Sequence, residues 1–299
     1  MTETIPVAVP RKGRPLEAVL DRVADETGAE SVADTIISTL RYEKAVTKGD
    51  QAAETGAYER LADYSNPDEP TRPDYTLLRD DRAGKPRRIV FDSVTIPADG
   101  VDLRLVGREE PFRALRKHEF ALGFDSADLV LEEVVELRPD PLTRIADVNA
   151  RVDPHDTDVR VVEGMGDTVY HTLMATPEAL PQGDQPTREF LTDYEGKLCI
   201  SPRYERLVEA VLGTRNTETL EFAYPTEDEE EEAAIAETGL GVYLTVTGST
   251  AREHGLVVGE QLFPSETVLM ENCSESTPGV ERAADLFVRA ETETEMAIY

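Results

Sequence analysis

The stretch Ile5-Pro6-Val7-Ala8-Val9-Pro10-Arg11-Lys12-Gly13-Arg14-Pro15, with the apolar series Leu16, Val19, Leu20 and Val23 behind it, reads as strand, tight loop, helix. A short uninterrupted apolar run matches a strand buried on both faces. Apolar residues recurring every three or four positions form one stripe of a helix. Pro15 suits the first helical turn, where its missing N–H would have no partner anyway. A loop at the carboxyl end of such a strand is where open α/β sheets take their ligands.

The same alternation continues outward. Ala33–Ala62 is helical in pattern, Ser65–Pro73 is a polar, Pro-rich loop, and Asp80–Arg88 is a second charged turn; together they read as an insertion or lid rather than core. Strands are expected at Ile89–Phe91, Val101–Val106 and Phe120–Phe124, with a helix over Glu110–Lys117 between them. Beyond them, Asp158–Val162, Thr168–Met174, Lys197–Ser201, Leu220–Tyr224, Gly241–Val246, Val257–Phe263 and Thr267–Glu271 have strand character. Gly183–Pro186 reads as a loop, Arg203–Leu212 and Val280–Ala290 as helices, and the tail to Tyr299 as frayed. Strands alternating with helices imply an α/β protein with a parallel or mixed sheet flanked by helices.

Of 299 residues, 61 are Asp or Glu and 31 Lys or Arg, a net charge of −30 spread along the chain. That excess repels phosphate backbones and argues against unspecific nucleic-acid binding. It also pushes the folded state apart unless concentrated salt screens it to within a few ångströms, so a salt-adapted, halophilic source is expected. No apolar run approaches a membrane span and the start has no basic-then-apolar leader, so the expected location is the cytoplasm. Cys199 and Cys273 have no metal spacing and are expected as reduced, buried thiols.

Three clusters could carry chemistry. Thr247-Gly248-Ser249-Thr250 follows a strand and opens a helix. Its hydroxyls and successive N–H groups make an anion cradle, with Gly248 permitting the tight turn; the same residues also serve simply as good turn and cap formers. Arg11, Lys12 and Arg14 put three cations at the end of the first strand. They could grip a pyrophosphate or triphosphate, or merely offset local acidity. Asp125 and Ser126, in Leu122–Asp128, either line a cleft or cap the next helix. His118, His155, His171 and His254 share no ligand spacing, so each is expected at the surface or with a single bond, and no metal site is expected. The run Glu227–Glu232 reads as a solvated helix face.

Together these segments resemble ATP phosphoribosyltransferase, which opens histidine biosynthesis. Val7–Arg14 is similar to that family's first strand and Lys-Gly-Arg loop, and Glu119–Asp128 to its Ala-Asp-Leu-Gly-Ile-Thr-Gly segment. Glu230–Leu256 is similar to its long signature ending in Thr-Gly-x-Thr and Leu-Arg-x-Asn-Gly-Leu, and Phe263–Ser265 and Leu269–Asn272 continue the likeness. The resemblance implies two α/β lobes like type II periplasmic binding proteins, with mixed sheets flanked by helices and a cleft between the lobes. The expected division is lobe 1 over 1–140 with an insertion near 28–88, lobe 2 over 141–261 carrying the phosphate loop, and a return to lobe 1 over 262–299.

The implied reaction joins N1 of the adenine of ATP to phosphoribosyl pyrophosphate with loss of pyrophosphate, assisted by Mg²⁺. By resemblance, Thr247, Gly248, Ser249 and Thr250 hold the sugar 5-phosphate, and Arg11, Lys12 and Arg14 face the pyrophosphate or the ATP phosphates. A homo-oligomer or a regulatory subunit is the implied partner, because the tail after Asn272 leaves no room for the family's C-terminal regulatory domain. The family's upstream Gly and two acidic positions fall here at Ala236, Gly239 and Tyr243. Tyr243 stands where the family's acid contacts the ribose hydroxyls, and a phenol cannot accept two hydroxyl hydrogen bonds as a carboxylate does. Two readings therefore stand: a transferase, or a non-catalytic relative that binds a phosphorylated metabolite as sensor, regulator or structural component.

Overall fold

A computed structural model describes residues 2–66, 68–78, 88–136, 142–144, 148–181, 184–213, 217–226, 230–288 and 295–298. In chain order the elements are β1 (Glu3–Pro10), α1 (Gly13–Thr27), α2 (Glu30–Lys48), α3 (Ala57–Tyr64), β2 (Asp74–Leu78), β3 (Arg88–Pro97), β4 (Val101–Arg108), α4 (Pro111–Arg116), β5 (Leu122–Ser126), α5 (Ala127–Glu133), β6 (Leu142–Arg144), β7 (Val159–Gly164) and β8 (Val169–Ala175). There follow α6 (Arg188–Leu191), β9 (Gly196–Cys199), α7 (Glu205–Leu212), β10 (Leu220–Ala223), α8 (Glu231–Thr238), β11 (Leu240–Thr245), α9 (Ser249–Glu253), β12 (Val257–Ser265), β13 (Thr267–Asn272), α10 (Pro278–Asp285) and β14 (Glu295–Ile298). The fold is mixed α/β, with two mixed sheets flanked by helices.

The chain divides into two units. Unit 1 is Met1–Ser126, Pro154–Asp167 and Thr267–Thr292. Its seven-stranded sheet runs β2-β3-β4-β1-β5-β13-β7, with β4, β1 and β5 parallel and the outer strands antiparallel to their neighbours. Val7, Ala8 and Val9 in the middle of β1 are wholly buried, as expected of a strand covered on both faces. The stripe Leu16, Val19, Leu20 and Val23 seats α1 on the same core as Phe91, Leu103, Leu105 and Phe124. On α10's side, Phe287 meets the Phe124 ring edge-on at 5.1 Å.

The stretch after Gly28 is not peripheral throughout: Ala33 and Ile36 of α2 belong to that core. Helix α3 is fastened to α2 by a buried ion pair, in which Arg60 donates from Nε and Nη2 to the two carboxylate oxygens of Glu43 at 2.7 and 2.8 Å. Tyr64 adds a bond to the same carboxylate at 3.0 Å. Most of the second charged turn, 80–87, lies outside the described residues.

Unit 2 is Ala127–Asp153, Thr168–Glu266 and Glu293–Tyr299. Its sheet runs β10-β9-β11-β8-β12, with β9 parallel to both β10 and β11, and β8 antiparallel to β11 and β12. One of its cores gathers Met174, Cys199, Ala234, Ile235, Ala251 and Leu256. Two expectations are corrected. The tail expected to fray contains β14, which pairs antiparallel with β6, because the partner lies some 150 residues upstream and leaves no local signal. Cys273 is exposed rather than buried, sitting in a turn after β13; Cys199 is buried, and neither forms a disulfide. Residues 182–183, 214–216 and 227–229 fall outside the described residues, and with them Gly183 and the first half of the acidic run Glu227–Glu232.

Candidate functional site

In unit 1, β4, β1 and β5 are parallel, so their carboxyl ends open at the same edge of the sheet. Pro10 lies level with Arg108, and the basic loop leaves from there. Arg11 is half-buried: its carbonyl accepts the N–H of Phe91 at 3.1 Å, and its Nε donates to the carbonyl of Gly107 at 3.1 Å. A Cβ on Gly107 would come within 2.5 Å of the Phe91 carbonyl oxygen and 2.9 Å of Arg11 Cγ. Only glycine lets the arginine lie so close along β4.

The other two cations are already engaged. Lys12 Nζ lies 3.8 Å from Glu109 Oε2, both about two-fifths exposed, a pair of little energetic weight. Arg14 donates from Nη1 to the carbonyl of Asp167 at 2.6 Å and to its carboxylate. That carboxylate is itself held by Thr267, whose N–H and hydroxyl each donate at 2.8 Å.

Asp125 is buried and does not stand open as a reactive acid. Its Oδ2 accepts the N–H of Phe112 at 3.1 Å and its Oδ1 that of Ser126 at 2.9 Å. It therefore caps the first turn of α4, whereas the sequence offered a cap for the helix directly after it. Ser126 is half-buried at the end of β5, opposite Thr267 of β13.

In unit 2, β11 delivers the hydroxyl loop. Val246 is 72% exposed, Thr247, Ser249 and Thr250 are exposed, and Gly248 and Ala251 are buried. Gly248 has φ +67°, in the left-handed region, and opens α9. The Thr247 and Ser249 hydroxyls lie 3.0 Å apart, and the N–H of Ser249 points at Thr247 Oγ1 at 3.4 Å. Arg252, which the sequence did not single out, donates from Nη2 to the carbonyl of Thr247 at 2.8 Å. That bond occupies the loop's carbonyl oxygen, which an incoming anion would otherwise be repelled by. A cation one helical turn past a loop glycine is the sequence signal that would have found it.

Tyr243 sits four residues upstream on β11, half-buried. Its phenol is pushed well above the usual tyrosine range, first by burial, then by the carboxylates of Glu231 and Glu232, and by a hydrogen bond to Glu231. It thus stays a neutral donor to an acid at the start of α8. His254 lies 3.7 Å from Glu230 at the same helix start. A buried pair the sequence did not single out is His171 with Asp128, Nε2 to Oδ2 at 2.9 Å. The imidazole stacks on Phe263 at 4.3 Å and meets Tyr204 edge-on at 4.7 Å. A histidine sandwiched between rings and fully buried is a core element.

Among the described residues, no group of three or more His, Cys, Asp or Glu side chains could hold a metal ion. None of their helices is long and apolar enough to cross a membrane.

The model of the family described as halobacterial ATP phosphoribosyltransferase matches residues 1–298. No curated protein matches the sequence. Among solved structures, an ATP phosphoribosyl transferase (HisG:HisZ) complex from Thermotoga maritima is similar at 12% identity, covering 94% of this chain and 93% of that one, with a TM-score of 0.45. YhfZ from Shigella flexneri matches at 8% identity over 96% and 85% of the two chains, with a TM-score of 0.46. The regulatory domain of MetR from N. meningitidis matches at 8% identity over 95% and 92%, with a TM-score of 0.36. Likenesses this distant carry no functional argument; the match over nearly the whole sequence does, and the chain belongs to the halobacterial ATP phosphoribosyltransferase family.

Proposed function

We propose that the chain transfers a phosphoribosyl group from phosphoribosyl pyrophosphate to ATP. The lone pair on N1 of adenine attacks C1 of the sugar, the C1–O bond to pyrophosphate breaks, and pyrophosphate leaves with the bonding electrons. Thr247, Gly248, Ser249 and Thr250 bind the 5-phosphate, while Arg11 and Lys12 face the departing pyrophosphate, with Arg14 steadying their loop through Asp167. Such a displacement needs a neutralised leaving group and rigid positioning more than a strong base.

The observation that carries this reading is the β11–α9 turn: three exposed hydroxyl residues around a left-handed glycine, with the Thr247 carbonyl drawn off by Arg252. Mg²⁺ fits as an ion that arrives on the ligand's phosphates. It commonly keeps its waters and takes one or two protein oxygens plus phosphate oxygens, so it needs no protein cage of its own. When bound it would neutralise charge on the leaving pyrophosphate. The setting we propose is the cytoplasm of a salt-adapted cell, with a homo-oligomer or a regulatory subunit as partner and no role for nucleic acid.

A second reading, a non-catalytic binder of a phosphorylated metabolite, is favoured by Tyr243. Its phenol donates to Glu231, so the position supplies no free carboxylate for ribose hydroxyls. Calorimetric titration with phosphoribosyl pyrophosphate and Mg²⁺ in concentrated salt, followed by an ATP-dependent turnover assay, separates the two. Binding with turnover supports the transferase, binding without turnover selects the binder, and no binding removes both.

A further inference from the structure

The carbonyl of Gly107 is shared. It accepts Nε of Arg11 at 3.1 Å from β1's side, and also Nη1 of Arg108, the next residue on β4, at 3.0 Å. Two guanidinium groups thus converge on one neutral acceptor at the carboxyl ends of two adjacent parallel strands. Each is braced. Arg108 lies over the ring of Phe120, 4.7 Å from its centre, and Phe120 is buried. Arg11 is kept against β4 because Gly107 has no Cβ.

Neither arginine has a carboxylate within ion-pair distance among the described residues, in a chain with twice as many acids as cations. Their neighbours Lys12 and Arg14 each have one. Holding two like charges together without a counterion is unfavourable, and the cost is relieved when an anion enters between them. Guanidinium forks match the oxygens of phosphate two at a time, and fixed forks lose little entropy in doing so.

We propose that Arg108 and Arg11 form one anion-binding couple, braced by the Gly107 carbonyl and the Phe120 ring, that takes a di- or triphosphate group. This rests on, and deepens, the reading of the basic loop as the pyrophosphate-facing side of the site. The diphosphate of the sugar and the triphosphate of ATP offer the same chemistry, and the titration distinguishes them.

The test is calorimetry on the full chain at fixed high salt, with inorganic pyrophosphate, phosphoribosyl pyrophosphate and ATP as separate titrants, for wild type, R108Q, R108K and R11Q. We expect R108Q and R11Q each to weaken pyrophosphate at least tenfold, and R108K to weaken it severalfold, because the charge stays while the fork is lost. The double variant R11Q/R108Q should be little worse than either single one, and the melting temperatures should stay near that of wild type. Whichever of the two substrates loses affinity in step with pyrophosphate is the occupant. Wild-type affinity in R108Q, or losses that add independently in the double variant, overturns the couple. If R108Q does not fold, R108K carries the test, and unchanged affinity there counts against it. The wider reading fails separately: a couple that binds pyrophosphate in a protein without turnover leaves this inference standing and removes the transferase. Turnover with no effect of either arginine does the reverse.

Discussion

Arg14 and Asp167 are 153 positions apart, yet Nη1 of the arginine takes both the main-chain carbonyl and the carboxylate of the aspartate. Thr267 holds that carboxylate from its other side with an N–H and a hydroxyl. Asp167 and Thr267 are the residues at which the chain leaves unit 1 for the second time and re-enters it. One carboxylate therefore joins the start of α1 to both of these segments. Hydrogen bonds to a charged group are worth about 1.5–3 kcal/mol each. We expect Asp167→Ala to lower stability by about 2–4 kcal/mol, since it removes the carboxylate that accepts from both Arg14 and Thr267. Asp167→Asn, which keeps one acceptor oxygen for Thr267 and replaces the other by an NH2 donor, should cost less than Asp167→Ala. Urea unfolding of the two variants checks the order, and equal stability of wild type and Asp167→Ala would mean that the tie has no mechanical role.

Gly248 has a separate constraint. At φ +67° a side chain is strained, and a Cβ there would stand 3.1 Å from both Arg252 Nη1 and Val258 Cγ2. A β-branched residue in the left-handed region costs about 1–2 kcal/mol. Val258 belongs to the packed shell around the unit 2 core, so the backbone is the part that moves. We expect Gly248→Val to keep the fold with a modest fall in melting temperature, and to lose at least tenfold in affinity for phosphoribosyl pyrophosphate, both read from one preparation. Unchanged affinity would remove the loop from the site.

The sequence revealed local units and concealed the joins. Strand β1 and helix α1 were legible because an apolar run, Gly13, Pro15 and a helical stripe all act within 25 residues. The hydroxyl loop was legible for the same reason, as Thr247–Thr250 lies directly between a strand and a helix. The partnership of Arg108 with Arg11 was not, because it exists only once β1 pairs with β4, and nothing in either segment marks its partner across 97 positions. Asp125 was ambiguous on principle: an acid before a small residue at a strand end looks the same whether it caps a helix or faces a substrate. The Asp167 tie was hidden because a lone acid in a chain with 61 of them carries no signal.

The capping role of Asp125 has its own consequence. Its carboxylate takes the N–H of Phe112 in the first turn of α4, and Phe112 is buried. Losing a side-chain cap costs about 1 kcal/mol, and up to about 2 in a protein. We expect Asp125→Ala to destabilise the protein by that amount and to leave affinity for pyrophosphate and phosphoribosyl pyrophosphate within twofold of wild type. A large loss of affinity with unchanged stability would instead make Asp125 a ligand-facing acid.

The network that fastens α3 to α2 gives a pH dependence with a definite sign. Burial, and then the hydrogen bond to Glu43, push the Tyr64 phenol up from 10.0 to about 12. Between those values the unfolded chain releases the phenolic proton while the folded chain keeps it. The folded state then binds more protons, so stability falls as pH rises through this window. The contribution is complete below pH 10 and gone above about 12. Tyr64→Phe removes both the bond and the titration. We therefore expect wild type to exceed Tyr64→Phe in stability at pH 8 to 9, and the difference to close between pH 10 and 12. Arg60, bonded to the same carboxylate, keeps its charge across that range and serves as the control: Arg60→Ala should cost about 3–5 kcal/mol by stranding buried Glu43, already at pH 8. Parallel unfolding curves for wild type and Tyr64→Phe at every pH would show that the phenol titrates outside the network.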